Sequence, residues 1–390
     1  MKGIFSLLLI FLLSIPAYSE VKEIKIGKNG EFILNGKPYF PIMVWLQPAS
    51  LIDKNKQLGI EVFVGQGARG ETPKEFLDAC LEKGVYGAIS IGHNFERTKK
   101  IVEEVKDHPA LLFWWLPDEP DIYSRKKGKA PKYTAEEIIR VYKFVKQVDK
   151  KNHPVALNFG SGIPTGSTPI PLRMYRRYIP GCDFLTCTSS YPVNRGHSDK
   201  LNVVGKGIKM LKLFAPDKPA GTWIEISFIG AEHGRKVSPQ ERCPKPEEVR
   251  AEVYMAIVNG ATAIGYFPHS WSPRYTQFRV PEDVQREVKK INTEIKELTP
   301  VICSENVEGK IEVETELGIK TLVKVYKDYL YIFASNLRNY GGKVKFKILQ
   351  GVKDKICEVY GENRKIEIKG NSFEDNFRSF QPHIYKVRIK

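Results

Sequence analysis

Between residues 41 and 267 the chain repeats one pattern: a short apolar run, then a longer segment with apolar residues on one helical face. The eight runs are Pro41–Trp45, Val62–Gly65, Gly87–Ile91, Leu111–Leu116, Val155–Phe159, Phe184–Ser189, Gly221–Ile226 and Thr262–Phe267. The intervening segments predict helices over Pro73–Lys83, Arg97–Lys106, Thr134–Asp149, Lys200–Phe214, Pro246–Val258 and Pro281–Leu298. Thr134 with Glu137 forms a capping box, and Ile138, Tyr142 and Val145 fall on one face behind it. Strands alternating with helices imply a parallel sheet. Eight such units in about 250 residues predict a (β/α)8 TIM barrel. A doubly wound open sheet is the alternative, but no Gly-rich phosphate loop follows any run.

The pattern differs at both ends. Ile24 and Ile26, Asn29-Gly30, Phe32 and Leu34, then Asn35-Gly36 predict a β-hairpin ahead of the barrel. After Thr299-Pro300, alternation with period two over Leu322–Tyr326, Tyr329–Phe333, Val344–Ile348, Ile366–Ile368 and Ile384–Ile389 predicts a small antiparallel β-sandwich. Lys2, the apolar run Ile4–Leu13 and Ala17-Tyr18-Ser19 have the order of a secretory signal peptide cut before Glu20. The expected plan is a signal peptide over 1–19, a hairpin plus barrel over 20–300 and a β-domain over 301–390. The mature chain is expected outside the cytoplasm, extracellular or periplasmic, and no later segment is apolar enough to span a bilayer.

With 42% apolar and 27% charged residues among 390, the composition is that of an ordinary globular protein. Lys and Arg number 61 against 45 Asp and Glu, but no block of five like charges occurs. This diffuse basic bias argues against a nucleic-acid arm and fits an anionic polysaccharide or a Lys/Glu-rich surface. The six cysteines form no C-x-x-C pair and no zinc spacing. Cys303 with Cys357 is the pair to test for a disulfide, and buried free thiols are the equal alternative.

Barrel chemistry gathers where strands end. The run ends deliver Trp45 and Gln47, Arg69, His93 and Asn94, Asp118-Glu119-Pro120-Asp121, Asn158, Tyr191, Trp223 and Glu225, then Phe267, His269 and Trp271. This set lacks a Ser-His-Asp order, a phosphate cradle and a cluster of metal ligands. Glu119 and Glu225 close the fourth and seventh runs, which face each other across a barrel. Two carboxyl groups flanking one bond are what glycoside hydrolysis requires, and aromatic rings suit the C–H faces of sugars. Trp114 and Trp115 point to opposite faces of their strand, so both cannot line a site.

The lead-in GEFILNGKPYF, the acidic-Glu-Pro after the fourth run, Glu225 and Trp271 resemble the clan A retaining glycoside hydrolases. The stretch Phe373–Phe377 running to His383-Ile384-Tyr385 resembles the β-domain often appended to such barrels. The resemblance implies Glu119 as acid/base, Glu225 as nucleophile, Tyr191 as a hydrogen-bond donor to the nucleophile and Trp271 as a sugar platform. It departs at Asp118, where the family has an Asn that binds the sugar 2-hydroxyl. An Asp there accepts the same hydrogen bond and raises the pKa of one member of the Asp118–Glu119 pair.

Asn158, His93 and Trp45 are further substrate-binding candidates, and Arg69 is a candidate for orienting the nucleophile. For His93, Asn94 and Asn158 a structural role in satisfied hydrogen bonds is the competing reading. The expected function is a secreted retaining hydrolase of β-glycosidic bonds with no metal or organic cofactor. Two rivals stand beside it: a catalytically silent carbohydrate-binding barrel, and a metal-assisted hydrolase built on Glu119, Asp121 and His93 or His269.

Overall fold

The computed structural model describes residues 20–66, 70–122, 131–167 and 170–389, so the expected signal peptide lies outside the described residues. A small antiparallel sheet of β1 (Ile24–Ile26), β2 (Phe32–Leu34) and β3 (Lys37–Tyr39) comes first. Eight parallel strands then close into a barrel: β4 (Ile42–Trp45), β5 (Val62–Val64), β6 (Tyr86–Ser90), β7 (Leu111–Trp115), β8 (Val155–Phe159), β9 (Phe184–Thr188), β10 (Ala220–Glu225) and β11 (Ala263–Phe267). Closure is made by β11 against β4, with Gly265 opposite Met43. The chain is a TIM barrel followed by an antiparallel β-domain.

The helices begin where the sequence supplies caps. Thr72 and Thr134 each accept from the backbone of Glu75 and Glu137, whose side chains reach back to the cap residue. The helix predicted to stop at Leu298 runs from Glu282 through Pro300 to Ile302. Pro300 sits in its last turn, and the helix ends two residues beyond it.

Strand alternation sorts the barrel side chains into two cores. Trp114 points out into the helix-facing core and donates its indole N–H to Asp149 at 2.8 Å. Trp115 points in and joins Met43, Val62, Ala88 and Trp223 in the barrel interior. The N-terminal sheet closes the lower end of that interior: Phe32 is fully buried, its ring 5.1 Å from both Phe113 and Phe184. Gly265 has a steric reason, since a Cβ there would lie 2.3 Å from the Trp223 ring. A bare backbone at 265 lets the indole lie flat across the upper interior.

Beyond the barrel, β12 (Ile311–Glu314), β15 (Gly342–Ile348) and β18 (Ser372–Phe377) form one sheet. β13 (Ile319–Tyr326), β14 (Tyr329–Asn336), β19 (Pro382–Ile389), β16 (Val352–Val359) and β17 (Arg364–Glu367) form the other. Leu330, Phe346, Phe373 and Tyr385 fill a core between them, while Tyr331, Phe333 and Ile384 join the core around the barrel helices. All six cysteines are free, which answers the proposed Cys303–Cys357 pair. Cys303 ends the long helix with its sulfur toward the Tyr39 carbonyl, and Cys357 sits within β16.

Candidate active site

The upper ends of the barrel strands surround a cavity of ≈ 510 Å³. Its floor is aromatic: Trp45 and Trp223 lie 5.1 Å apart by ring centroid, above Trp115. One wall is a row of rings, with Phe267 stacked parallel to Trp271, Tyr191 against Phe267, and Tyr275 5.0 Å from Trp271. The facing wall is acidic, formed by Asp118 and Glu119, and Glu232 and Arg195 close the rim as an ion pair at 3.1 Å.

Backbone strain concentrates at this cavity. Leu46, Glu119, Ser190 and Tyr191 all hold positive φ, between 44° and 73°, and all line it. Each costs about 1–3 kcal/mol for a side chain with a Cβ, and such residues persist where the surrounding structure requires them. At Glu119 the requirement is visible. Its N–H donates to the Asn158 carbonyl, and the left-handed turn carries the side chain from the end of β7 back over the barrel mouth.

Asn158 organises the acidic wall. Its amide nitrogen donates to Asp118 at 2.9 Å, and its oxygen accepts from Thr186 at 2.8 Å and from the Trp223 indole at 3.2 Å. It is therefore both a structural hub and part of the lining. Thr188, the last residue of β9, donates its hydroxyl to Glu119 at 2.7 Å. Burial pushes the Glu119 pKa up to about 7, and the neighbouring Asp118 charge adds to the shift. Burial also raises Asp118, against the opposing hydrogen bond from Asn158. The Tyr191 hydroxyl is raised well above its usual range by burial first and then by the Glu119 charge. A carboxyl group protonated near neutrality, beside rings and amides in a sugar-sized hollow, has the form of a general acid.

The structure brings together Trp45, Asp118, Glu119, Asn158, Tyr191 and Trp271. It separates two other sequence candidates from them, Glu225 and His93. Glu225 ends β10 but does not line the cavity. It is fully buried, and its carboxylate accepts from the backbone N–H groups of Val193 and Asn194 at 2.7 and 2.8 Å and from the Asn194 amide at 2.6 Å. Glu252, on the helix Pro246–Val258, lies against it; burial and then the Glu225 charge push the Glu252 pKa well up. The groups that bind Glu225 are thus Val193 and Asn194, and no hydrogen bond joins it to Tyr191 among the described residues. His93 is exposed and packs beside Tyr133, outside the cavity. Arg69 lies outside the described residues.

The metal-assisted alternative loses its ligand set. Asp121 is buried and accepts from the Gly160 N–H and from the Tyr175 hydroxyl, both at 2.8 Å. His269 is held neutral by burial, with its ring between Trp45, Gln47 and Tyr275. Among the described residues no group of three His, Cys, Asp or Glu side chains could hold a metal ion.

Sequence reasoning missed Thr188, Ser190, Arg195, Glu232 and Tyr275. Thr188 was within reach, because it is the last residue of its strand. Glu232 and Arg195 follow turns several residues past their strands, and no periodicity marks them.

No family model matches the chain, and no curated protein sequence matches it. Solved structures do match. A family 5 glycoside hydrolase from Bacteroides vulgatus aligns at TM-score 0.63 with 13% identity, covering 94% of this chain and 93% of that one. An α-amylase from Geobacillus thermoleovorans, complexed with acarbose, aligns at 0.57 with 11% identity, covering 88% and 91%. A family 39 glycoside hydrolase from Bacteroides cellulosilyticus aligns at 0.53 with 13% identity, covering 90% and 81%. The chain has the fold of these glycoside hydrolases. The likeness spans barrel and β-domain together and includes enzymes named for amylase activity as well as members of families 5 and 39.

Proposed function

We propose that the protein is a glycoside hydrolase acting on a poly- or oligosaccharide, with Glu119 as its acid/base. The observation that carries this reading is the Glu119 carboxyl: buried, turned into the cavity by a left-handed backbone, and shifted to a pKa of about 7. The second carboxylate is Glu232, which lines the same cavity paired with Arg195, whereas both oxygens of Glu225 are engaged by N–H donors. A likeness in fold to glycoside hydrolases that include one complexed with acarbose supports the same substrate class.

In this mechanism a sugar stacks on Trp271 and Phe267 with its hydroxyls toward Asp118 and Asn158. Glu119 gives its proton to the glycosidic oxygen. The Glu232 carboxylate attacks the anomeric carbon, and the electron pair of the breaking C–O bond leaves with the protonated oxygen. Glu119, now ionised, takes a proton from water, which attacks the glycosyl ester and frees Glu232, giving net retention. A β-linked substrate and export through the N-terminal segment belong to the same proposal.

The test is reducing-sugar release from plant, algal and bacterial polysaccharides by wild type, Glu119→Ala, Glu232→Ala and Glu225→Ala. Loss in the first two, with azide rescue of Glu232→Ala as the inverted glycosyl azide, is the expected result. Azide rescue of Glu225→Ala instead would return the nucleophile to β10. Full activity in Glu119→Ala would overturn the reading.

A further inference from the structure

Two further hollows adjoin the cavity, one after the other. Ser190 lines both it and a second hollow of ≈ 620 Å³, whose other lining residues include Ile163, Pro164 and Met210 as well as Lys200, Lys206 and Lys209. Lys206 and Lys209 in turn line a third hollow, ≈ 730 Å³, between the helix Val203–Phe214 and β13 of the C-terminal domain. Lys212, Lys310 and Lys320 line this third hollow, with Glu308 as its one acidic residue. Shared lining residues thus set the three hollows side by side, in a row from the cavity that holds Glu119, along the helix, to the crevice beside the β-domain.

Beyond the acidic wall of the cavity the charge along this path is predominantly positive, with Glu308 the one carboxylate lining the second and third hollows. Lys206 and Lys209, three residues apart on a helix, project from the same side. Among the described residues, Lys200, Lys206, Lys209, Lys310 and Lys320 have no carboxylate within ion-pair distance, and Lys212 donates to the Lys218 carbonyl. Unpaired lysines this close repel one another and are stabilised by a bound polyanion. The second hollow sets Ile163, Pro164 and Met210 against its lysines, an amphipathic surface suited to sugar rings with charged substituents. A single-stranded nucleic acid would call for aromatic stacking platforms, and among the described residues neither the second nor the third hollow is lined by Phe, Tyr or Trp, the His197 imidazole of the second being their one ring.

We propose that this path binds the flanking units of an anionic polysaccharide whose scissile bond lies in the cavity. The anionic group is a carboxylate or a sulfate ester borne on the glycan. The inference rests on the glycosidase reading and names its substrate class.

The experiment measures binding of the full-length Glu119→Gln protein to polygalacturonate, chondroitin sulfate, a neutral β-glucan and a single-stranded DNA oligomer over a range of salt. The expected result is binding to at least one of the two acidic glycans at least tenfold tighter than to the glucan, weakening as salt rises. Lys206→Glu combined with Lys209→Glu should reduce that binding at least tenfold, and Lys206→Gln with Lys209→Gln by less, with unchanged circular dichroism. Which acidic glycan binds identifies the substituent. Equal or tighter binding of the glucan, no effect of the lysine variants, or preference for DNA would overturn the proposal. The two readings fail separately. If the glucan is cleaved by wild type but not by Glu119→Gln, and neither acidic glycan binds, the glycosidase stands and the path falls. If an acidic glycan binds but wild type cleaves no member of the panel, the path stands and the glycosidase reading falls.

Discussion

Two glutamates close two strands on opposite sides of the barrel, and the fold uses them in opposite ways. Glu119 follows β7 by four residues, adopts φ 47° and returns over the mouth. Glu225 is the last residue of β10 and is covered by the turn at Val193–Asn194. One carboxyl accepts from the Thr188 hydroxyl and has a cavity in front of it. The other has three donors and no cavity. A carboxylate that must exchange protons with substrate needs few fixed donors, because each one stabilises a single protonation state. A carboxylate that fixes a loop needs many. In the mechanism proposed above the β10 glutamate acts as a strut beneath the segment that carries Tyr191 and Arg195.

The largest effect expected from this contrast is on turnover. Glu119→Gln keeps the shape and removes the transferable proton, and should lower kcat by about 10²–10⁴-fold. Glu232→Gln should cost a similar factor by removing the second carboxylate from the cavity. Glu225→Gln should change kcat per folded molecule by less than about tenfold, since it acts only through loop position. Steady-state kinetics on one cleaved glycan compares all three. Equal losses for Glu225→Gln and Glu119→Gln would erase the distinction between the two strand ends.

The next effect is on pH dependence. The proposed mechanism needs protonated Glu119, so kcat should fall as pH rises through about 7, tenfold per unit beyond it. Asp118 raises that pKa through its charge, second only to burial. Asp118→Asn removes the charge, and the alkaline limb of the kcat profile should move to lower pH. A limb that stays in place, or moves up, would mean that burial alone sets the Glu119 proton affinity.

The barrel itself was legible because each strand is a continuous apolar run and several helices carry caps that can be read by spacing, Thr72 with Glu75 and Thr134 with Glu137 among them. In the β-domain the period-two runs marked β13, β14, β15, β17 and β19 but neither β12 nor β16; β12 alternates only between exposed and half-buried residues, and β16 opens on a run of mostly exposed ones, a faint apolar signal in both. At the site, the strand-end rule located Trp45, Glu119, Asn158 and Glu225. It did not give the direction each terminal side chain takes. For Glu119 that direction depends on a φ unusual for glutamate, and for Glu225 on a turn 32 residues earlier in sequence. Neither leaves a trace in periodicity. Arg195 and Glu232 were hidden for the same reason, as their positions come from loop closure and not from strand register.

The smallest effect is on stability, and it should have opposite signs at the two glutamates. Glu119→Asn replaces a strained residue with one that tolerates left-handed φ, relieving about 1 kcal/mol. It also removes a buried carboxyl whose folded pKa, about 7, exceeds its ordinary 4.5. In that window the folded state holds the proton more tightly than the unfolded chain, so the stability from the protonated group is lost as pH climbs from 4.5 towards 7. The gain from Glu119→Asn should therefore grow over the same range and be largest above pH 7. Glu225→Asn instead leaves the Val193 and Asn194 N–H groups short of an acceptor inside the protein, a loss of about 1–3 kcal/mol. In a chain of this length the two shifts are on the order of 1–4 °C in Tm, upward for the first and downward for the second. Paired thermal melts at pH 5 and pH 8 read both signs. A Tm that falls in both variants would mean that Glu119 also supports the fold, and that the strain at the mouth is held by its carboxyl and the Thr188 hydroxyl bonded to it, and not by the backbone bond to Asn158 alone.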